Sequence, residues 1–328
     1  MALTLRRGTV SAIVERHEGL VRLEVDGAPC VAYPDLTGPV ALGDDVLVNV
    51  QARELELGSG GFDVLHANLT RGLELRPERD AHVMKLPYTS LQHAVRHGEE
   101  AAELPEPPFG MQVVACSLHS QVAPVCAALA GVRVAYVQLP GGALPVALSD
   151  SLRVLTSRGL VGLTIGAGAC FGGDIDCVNA YSALAVARRW GADAVVCAIG
   201  PGIVGTGTEL GHGGMAAADA INAALELGNE AVLALRISEA DPRERHRGVS
   251  HHTDALLSLW SGSFDIPWPK GCPFDHAIAE GATEIDVSDW RERCAGLPLS
   301  HMGRGPADDP WFFAAAFAAG RLAHGRAA

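Results

Sequence analysis

The sequence is poor in aromatic residues and has no excess of basic ones. Phe, Trp and Tyr make up 5% of its 328 residues, and 25 Lys and Arg stand against 38 Asp and Glu, for a formal net charge of −13. Nucleic acids and anionic membranes attract basic surfaces, so this charge argues against both as partners. The sequence also has no run of about 18 uncharged apolar residues, so we expect no membrane-spanning helix.

The eight cysteines lack the spacing of a zinc site, because the sequence contains no C-x-x-C pair. Cys116, Cys126 and Cys197 lie in apolar runs, where a thiol behaves as a small buried hydrophobe. The N-terminus has no long apolar segment of the kind found in secretory signals. This usage is typical of a reducing compartment, and we expect a cytoplasmic protein.

Residues 1–75 predict a small all-β, barrel-like domain. Short runs that alternate or are rich in β-branched residues are separated by Gly-containing turns, with a further hairpin tip at Ser59-Gly60-Gly61. The predicted strands are Thr9–Val14, Leu20–Val25, Cys30–Tyr33 and Val46–Val50. The domain has no aromatic stacking platform and no basic stripe, so a structural or oligomerising role is favoured over oligonucleotide binding, and a homo-oligomer is one expectation.

Residues 76–110 predict a polar linker with a short helix around Ser90–Glu100, closed by prolines. From residue 111 to 328, apolar strands alternate with helices, which is typical of an α/β, Rossmann-like domain with a doubly wound, mostly parallel sheet. The predicted strands are Gln112–Ser117, Arg133–Leu139, Leu160–Ile165, Ala194–Ile199 and Ala231–Ile237. The predicted helices are Gln121–Ala130, Pro145–Ser157, Ile175–Trp190, Ala216–Leu227, Ser250–Trp260 and Pro310–His324.

Ligands of such sheets bind at the carboxyl ends of the strands, where this sequence places its polar and Gly-rich stretches. The longest is GPGIVGTGTELGHGGM, residues 200–215, between a predicted strand and a predicted helix. Its backbone N–H groups and hydroxyls are candidates for binding an anion, although it matches neither the Walker A nor the dinucleotide fingerprint. The candidate ligand-binding residues are Gly200, Gly202, Gly205, Thr206, Gly207, Thr208 and His212. The alternative is a mobile loop or a set of packing glycines.

Three other strand ends carry candidates. Gly141 and Gly142 leave room for a ligand or make a turn. His119 follows the first strand, where a helix N-terminus favours a neutral catalytic imidazole, unless Ser120 is only a helix cap. Asp174 and Asp176 are candidate oxygen ligands of a divalent metal, or they complement a helix dipole with Asp174 as N-cap. The sequence identifies no cofactor.

The second dense stretch is SEADPRERHRGVSHHTD, residues 238–254. Arg243, Arg245 and Arg247 alternate, so an extended loop points them the same way as a clamp for a carboxylate or phosphate, unless they only form a solvated loop. Ser250 is the expected helix cap and a ligand-binding candidate. His251 and His252 then lie in the first helical turn, whose dipole lowers the pKa of an imidazole and leaves it neutral.

We expect this stretch and the glycine-rich loop to form one cleft, because both follow strands that are consecutive in the chain and consecutive strands are usually neighbours. His251 and His252 are candidate general bases, only one of which faces the ligand because adjacent helical side chains diverge. The alternative is a surface histidine pair that caps its helix. Arg304, between two glycines, is expected to reach a ligand or a neighbouring carboxylate.

The segments GPGIVGTGT, ADPRERHRGVSHHT, GGALPVALSD and HMGRG resemble a bacterial family catalogued only as a domain of unknown function. The resemblance covers nearly the whole chain and implies a cytosolic protein with a small β domain and an α/β domain. It implies no activity and no catalytic residue.

Taken together, the residues predict an enzyme that binds a small anionic, possibly phosphorylated, metabolite at the strand ends and catalyses hydrolysis or group transfer. Two alternatives remain open. One is a ligand or nucleotide sensor without catalytic activity, and the other is a structural assembly protein.

Overall fold

A computed structural model describes residues 3–57, 60–71, 80–259 and 264–327. Four predictions fall partly outside these described residues: the hairpin tip at Ser59, the end of the β-rich domain at residues 72–75, the start of the linker at residues 76–79, and the end of a helix at Trp260. The chain divides into two compact units, Met1–Arg96 and His97–Ala328, so the predicted linker contributes residues to both.

The first unit contains a closed barrel of five strands, in the order β1-β2-β3-β5-β4. The strands are β1 (Leu5–His17), β2 (Leu20–Val25), β3 (Ala28–Ala32), β4 (Asp45–Asn49) and β5 (Asp63–Asn68). The four predicted strands are present, Leu20–Val25 with the predicted ends and the other three with shifted ends. The fifth, β5, was not predicted; it closes the barrel by pairing with β3 in parallel and with β4 antiparallel.

Alternation along these strands places one apolar face inside the barrel, where Val10, Leu23, Val46 and Leu65 are buried. β1 is longer than predicted because two irregularities in its pairing with β2 bend it, so that it also pairs with β4. The unit's other elements are α1 (Pro34–Thr37), α2 (Gln51–Glu54), β6 (Val83–Lys85) and β7 (His93–Val95).

The helix predicted around Ser90–Glu100 is wrong over most of its length. Residues 93–95 form β7, which pairs antiparallel with β6, and the only helical part of that range is the single turn α3 (Gly98–Ala101). Pairing with a strand distant in sequence overrides a weak local helical preference here.

The second unit is built on a six-stranded, all-parallel sheet in the order β11-β10-β9-β12-β8-β13. Its strands are β8 (Gln112–Cys116), β9 (Val134–Leu139), β10 (Leu163–Ala167), β11 (Ile175–Cys177), β12 (Ala194–Ile199) and β13 (Glu230–Ala234). Two small pairs accompany it: β14 (Ile237–Ser238) with β15 (Gly248–Val249), and β16 (Pro267–Pro269) with β17 (Thr283–Ile285).

Helices cover both faces of this sheet, which confirms the predicted doubly wound α/β fold. They are α4 (Val122–Ala128), α5 (Asp150–Ser157), α6 (Ala180–Trp190), α7 (Ala216–Glu226), α8 (His251–Ser258), α9 (Trp290–Arg293) and α10 (Pro310–Ala327). Val196 belongs to a buried cluster that includes residues of α4, α5, α9 and α10, whereas its neighbour Val195 belongs to the cluster that includes residues of α6 and α7. The strands are therefore apolar on both sides and read as continuous hydrophobic runs.

Two predictions about this sheet need correction. Residues 175–177 form an edge strand, not the start of a helix, and α6 begins only at Ala180, capped by Asn179. β12 and β13 are not neighbours, because β8 pairs with both and lies between them. Consecutive strands thus end two positions apart in the sheet.

The last helix, α10, is buried on nearly every side, and Phe312, Phe313 and Phe317 are inaccessible to solvent. Among the described residues, every helix is too short or too polar to cross a lipid bilayer.

Candidate functional site

The loops that follow β9 and β12 pack directly against each other at the carboxyl edge of the sheet. Ala143 N donates to Pro201 O at 2.9 Å, and Val204 N donates to Gly141 O at 3.0 Å. A Cβ on Gly142, Gly200 or Gly213 would overlap a backbone carbonyl oxygen of the facing loop. The structure therefore gives these glycines a packing role, which the sequence left as the alternative to ligand binding.

The tip of the glycine-rich loop is closed by its own polar groups. The hydroxyls of Thr206 and Thr208 lie 2.8 Å apart, and Thr206 N donates to Gly211 O at 2.7 Å. Gly202 has a positive φ of 72°, whereas Gly207 is in open space. With both hydroxyls bonded inside the loop, anion binding by this tip stays a prediction.

The loop then delivers His212 to a group of histidines. The rings of His212 and His252 stack with centroids 3.5 Å apart, and the ring of His251 lies 4.4 Å from that of His252. The ring centroid of His246 lies 4.8 Å from those of both His251 and His252. We call these four residues the histidine cluster. It joins the loop after β12 to α8, so the two predicted stretches meet although their strands are not neighbours.

The start of α8 explains how three histidines from one segment converge. Ser250 caps the helix by accepting from His252 N at 3.2 Å, as predicted, and its hydroxyl also lies 2.7 Å from Nδ1 of His246. His251 and His252 were expected to diverge, yet their rings are in contact in the first turn. His246 was not predicted, although its position in the segment RHRGVSHH was a signal.

A buried arginine, also not predicted, lies beside the cluster. Arg236 is 1% exposed and follows β13; its Nη1 is 3.1 Å from Nδ1 of His252, and its Nη2 is 3.4 Å from Asp241. Its Nε is buried and has no hydrogen-bond partner among the described residues. A lone charge inside the apolar run AVLALRIS was the sequence signal, because a buried charge needs a partner.

Asp241 is the centre of an arginine–aspartate network made of Arg236, Arg243, Arg304, Asp241 and Asp309. Two hydrogen bonds of 2.9 Å join Arg243 to the Asp241 carboxylate, and Arg304 bridges Asp241 and Asp309 at 3.2 Å each. Burial alone would raise the pKa of Asp241, but the bonds and charge of Arg243 outweigh it and hold the pKa well below its usual range. The prediction that Arg304 reaches a neighbouring carboxylate is confirmed.

The predicted clamp of three arginines on an extended loop is wrong in its geometry. Residues 244–246 form a turn of 3₁₀ helix, so the alternation of an extended chain is lost. Arg243 donates to the Asp241 carboxylate, and Arg247 Nε donates to the backbone oxygen of Asp241 at 3.1 Å. Arg245 is exposed.

The histidines of the cluster are held in the neutral form. Burial lowers the pKa of every one, and nearby positive groups, Arg236 among them, lower it further. The pKa of His246 falls to about 3 and that of His252 to about 2. Near neutral pH these imidazoles are hydrogen-bond acceptors and donors without charge.

Three of these histidines are also close enough to be considered as metal ligands. His246, His251 and His252 offer ligand atoms within 4.8 Å of one another. However, Arg236 donates to Nδ1 of His252, which puts the ring proton on Nε2 and leaves no lone pair for a metal. The guanidinium charge also opposes a second cation.

The predicted carboxylate ligands lie elsewhere. Asp174 accepts from both the backbone N and the hydroxyl of Thr164 at 2.8 Å, and it caps no helix. Asp176 is buried and accepts from Gly172 N at 3.3 Å. Metal binding by this pair stays a prediction.

His119 uses both ring nitrogens to fix neighbouring segments. Its Nδ1 lies 3.2 Å from Ile199 O, which can only accept, so Nδ1 carries the proton and Nε2 accepts from the Ser149 hydroxyl at 2.6 Å. Burial lowers the pKa of His119 to about 4. These bonds give it a structural role, and a catalytic role remains a prediction.

A cleft of about 620 Å³ opens next to the histidine cluster. It lies between the carboxyl ends of β9 and β10 and the N-termini of α6 and α7, and its lining is largely apolar. His212 lines this cleft while stacking on His252, so the cleft and the cluster share one side chain.

Comparison with known proteins gives a family for the chain. No curated protein matches it. A family model described as a protein of unknown function, DUF3866, matches residues 29–320, nearly the whole chain and both of its units. The protein therefore belongs to the DUF3866 family.

Proposed function

We propose that the protein binds a small anionic metabolite at the histidine cluster and transfers a proton to or from it during hydrolysis or group transfer. The observation that carries the proposal is the gathering of four neutral imidazoles beside a buried guanidinium, with ring nitrogens that have no hydrogen-bond partner among the described residues. Buried polar groups are nearly always bonded, so unpartnered ones mark the place of a ligand.

The local charge supports an anion. The network contains Arg236, Arg243 and Arg304 against Asp241 and Asp309, three positive groups and two negative ones. With the histidines neutral, one positive charge is left over in a chain whose net charge is −13. Such a local excess in a buried site attracts an anion and holds it strongly.

The hydrogen bonds suggest different roles for the two adjacent histidines. Nε2 of His251 is buried without a partner, which suits a general base that takes a proton from the ligand or from water. His252 accepts from Arg236 through Nδ1, so its Nε2–H is a donor that suits a developing negative charge. The pair thus resembles an acid–base arrangement with Arg236 as the charge that orients it.

Calorimetric titration with inorganic phosphate tests the binding step. We expect saturable binding by the natural protein, at least tenfold weaker binding by Arg236→Gln, and clear weakening by His252→Gln. His324→Gln, the same substitution outside the cluster, serves as the control and should bind as the natural protein does. Equal affinity in all four proteins, or no binding at all, would contradict the proposal.

The same titrations separate the other functions. Binding without turnover of phosphate esters in a hydrolysis assay favours a sensor. Failure to bind any anion, together with a stable homo-oligomer in light scattering, favours an assembly protein. One equivalent of a transition metal in the purified protein, lost in His251→Gln, would replace the anion site by a metal site.

A further inference from the structure

We infer that the cleft beside His212 holds the apolar body of the ligand, so that the ligand is a small amphipathic acid with its anionic group at the histidine cluster. This inference rests on the proposed function for the position of the charged group. The position of the apolar body depends only on the cleft.

The size and lining of the cleft fit part of a small molecule. Its volume of about 620 Å³ lies within the range of about 300–1,000 Å³ that is usual for small-molecule pockets. Most of its lining is aliphatic, including Leu139, Ala167, Met215, Ala218 and Leu259. Leu259 is 56% exposed, so an apolar ligand would remove apolar surface from water there.

His212 fixes the end of the cleft at which the charged group belongs. It is only 7% exposed, it lines the cleft, and both of its ring nitrogens are buried without a partner among the described residues. Its ring stacks on that of His252, which Arg236 contacts. A polar head placed at His212 would therefore meet the positive side of the site.

The charge at the rim of the cleft also decides where the acid group fits. A 3₁₀ turn, Gly213–Met215, leads directly into α7, and Met215 N donates to His212 O at 3.2 Å, so the N–H groups at the start of α7 are bonded within the chain. The exposed Asp219 in the first turn of α7 also lines the cleft, and its carboxylate disfavours an anion at the outer rim. An acid group therefore fits at His212 better than at the rim.

Straight-chain carboxylates from acetate to octanoate provide the probe. If each added methylene enters the cleft, affinity should rise about fourfold per methylene, equivalent to about 0.8 kcal/mol, until the cleft is full. The matched primary alcohols should show the same dependence on chain length but bind at least tenfold more weakly at every length, because they lack the charge.

Two variants of α7 tie the effect to the cleft. Ala216→Phe fills the cleft and should abolish the dependence on chain length, while Asn222→Phe places the same side chain on an exposed position of the same helix and should preserve it. Ala218→Leu, a smaller change in the lining, should shorten the longest chain that still gains affinity. Melting temperatures establish that each variant is folded.

Each outcome separates the inference from the function on which it rests. If the protein binds acetate but affinity does not rise from acetate to octanoate, the cleft assignment is overturned and the anion site stands. A rise that Ala216→Phe and Ala218→Leu both leave intact has the same meaning. Equal affinity for alcohols and carboxylates supports the cleft as an apolar pocket but overturns the amphipathic acid and the proposed anion site.

Discussion

The imidazole rings of His212 and His252 stack at 3.5 Å with an angle of 11° between their planes. One ring comes from the loop after β12 and the other from the first turn of α8, so the contact joins two segments whose strands are separated by β8. His212 also lines the cleft and His252 also accepts from Arg236, so the ring pair connects the cleft to the buried guanidinium.

His212→Phe separates the stacking role of this residue from its polar role. The substitution keeps a planar ring of similar size, so we expect the melting temperature to change little. It removes both ring nitrogens, so phosphate affinity should fall about tenfold or more. His212→Ala, which loses the ring as well, should lower both affinity and melting temperature. A Phe variant that binds phosphate normally would show that His212 only packs.

Removal of the Asp241 carboxylate should destabilise the second unit strongly. Asp241→Asn leaves Arg236 buried with a neutral partner, and breaking a buried ion pair in this way costs about 3–5 kcal/mol of unfolding free energy. The exposed Asp275→Asn serves as the control and should change the free energy of unfolding by less than about 0.5 kcal/mol. Urea denaturation measures both.

The stability of the protein should fall as the pH is lowered through the range in which unfolded histidine titrates. His119 has a pKa of about 4 in the folded protein because it is buried, below the value of about 6.5 in an unfolded chain. Its stabilising contribution is complete above pH 6.5 and is lost as the pH falls toward 4, at up to about 1.4 kcal/mol per pH unit.

Replacement of His119 by Gln tests this dependence. Unfolding free energies at pH 7.5 and pH 5.0 should differ less in His119→Gln than in the natural protein. The dependence of the unfolding free energy on pH should be smaller by up to about 1.4 kcal/mol per pH unit, the effect of one proton. The carboxylates titrate in both proteins and cancel in the comparison. An unchanged slope would mean that His119 titrates normally in the folded state.

Glycines of the two packed loops should respond differently to an added methyl group. Gly142→Ala places a Cβ against the carbonyl of Gly200 and should cost about 1–3 kcal/mol or more of stability. Gly207→Ala enters open space and should change stability by less than about 0.5 kcal/mol. Thermal unfolding of the two variants measures the difference. Similar melting temperatures would contradict the packing role of Gly142.

The broad fold was predictable because it depends on patterns within single elements. Alternation along Leu20–Val25 predicted a barrel strand, and the fully apolar Ala194–Ile199 predicted a strand buried on both faces. Predictions were wrong where the structure of a segment depends on pairing with a strand distant in sequence. Residues 93–95 form a strand only because residues 83–85 pair with them, and no local pattern places β8 between β12 and β13.

The candidate site was predictable as a pair of segments but not as an arrangement of atoms. His251, His252 and His212 are candidates from the sequence because they follow predicted strands of a doubly wound sheet, whose ligands bind at the carboxyl ends of the strands. The glycine-rich loop was interpreted as an anion loop, since its sequence cannot reveal that Gly213 faces Gly141 across a loop–loop contact. Arg236 lies within a run that predicts a buried strand, and the charge inside that run is the one local signal that the residue needs a buried partner.

The burial of α10 has a consequence for the order in which the second unit becomes stable. Helix α10 packs against α4, β8 and β13. Gly320 of α10 lies so close to Val125 that a Cβ on Gly320 would overlap the Val125 carbonyl oxygen. During synthesis the ribosome makes α10 after every strand of the sheet, so the apolar surface that α10 covers on α4, β8 and β13 stays exposed until residues 310–327 have emerged. Exposed apolar surface makes a folding intermediate prone to aggregate and dependent on chaperones, and a chain stalled before α10 would keep this surface exposed.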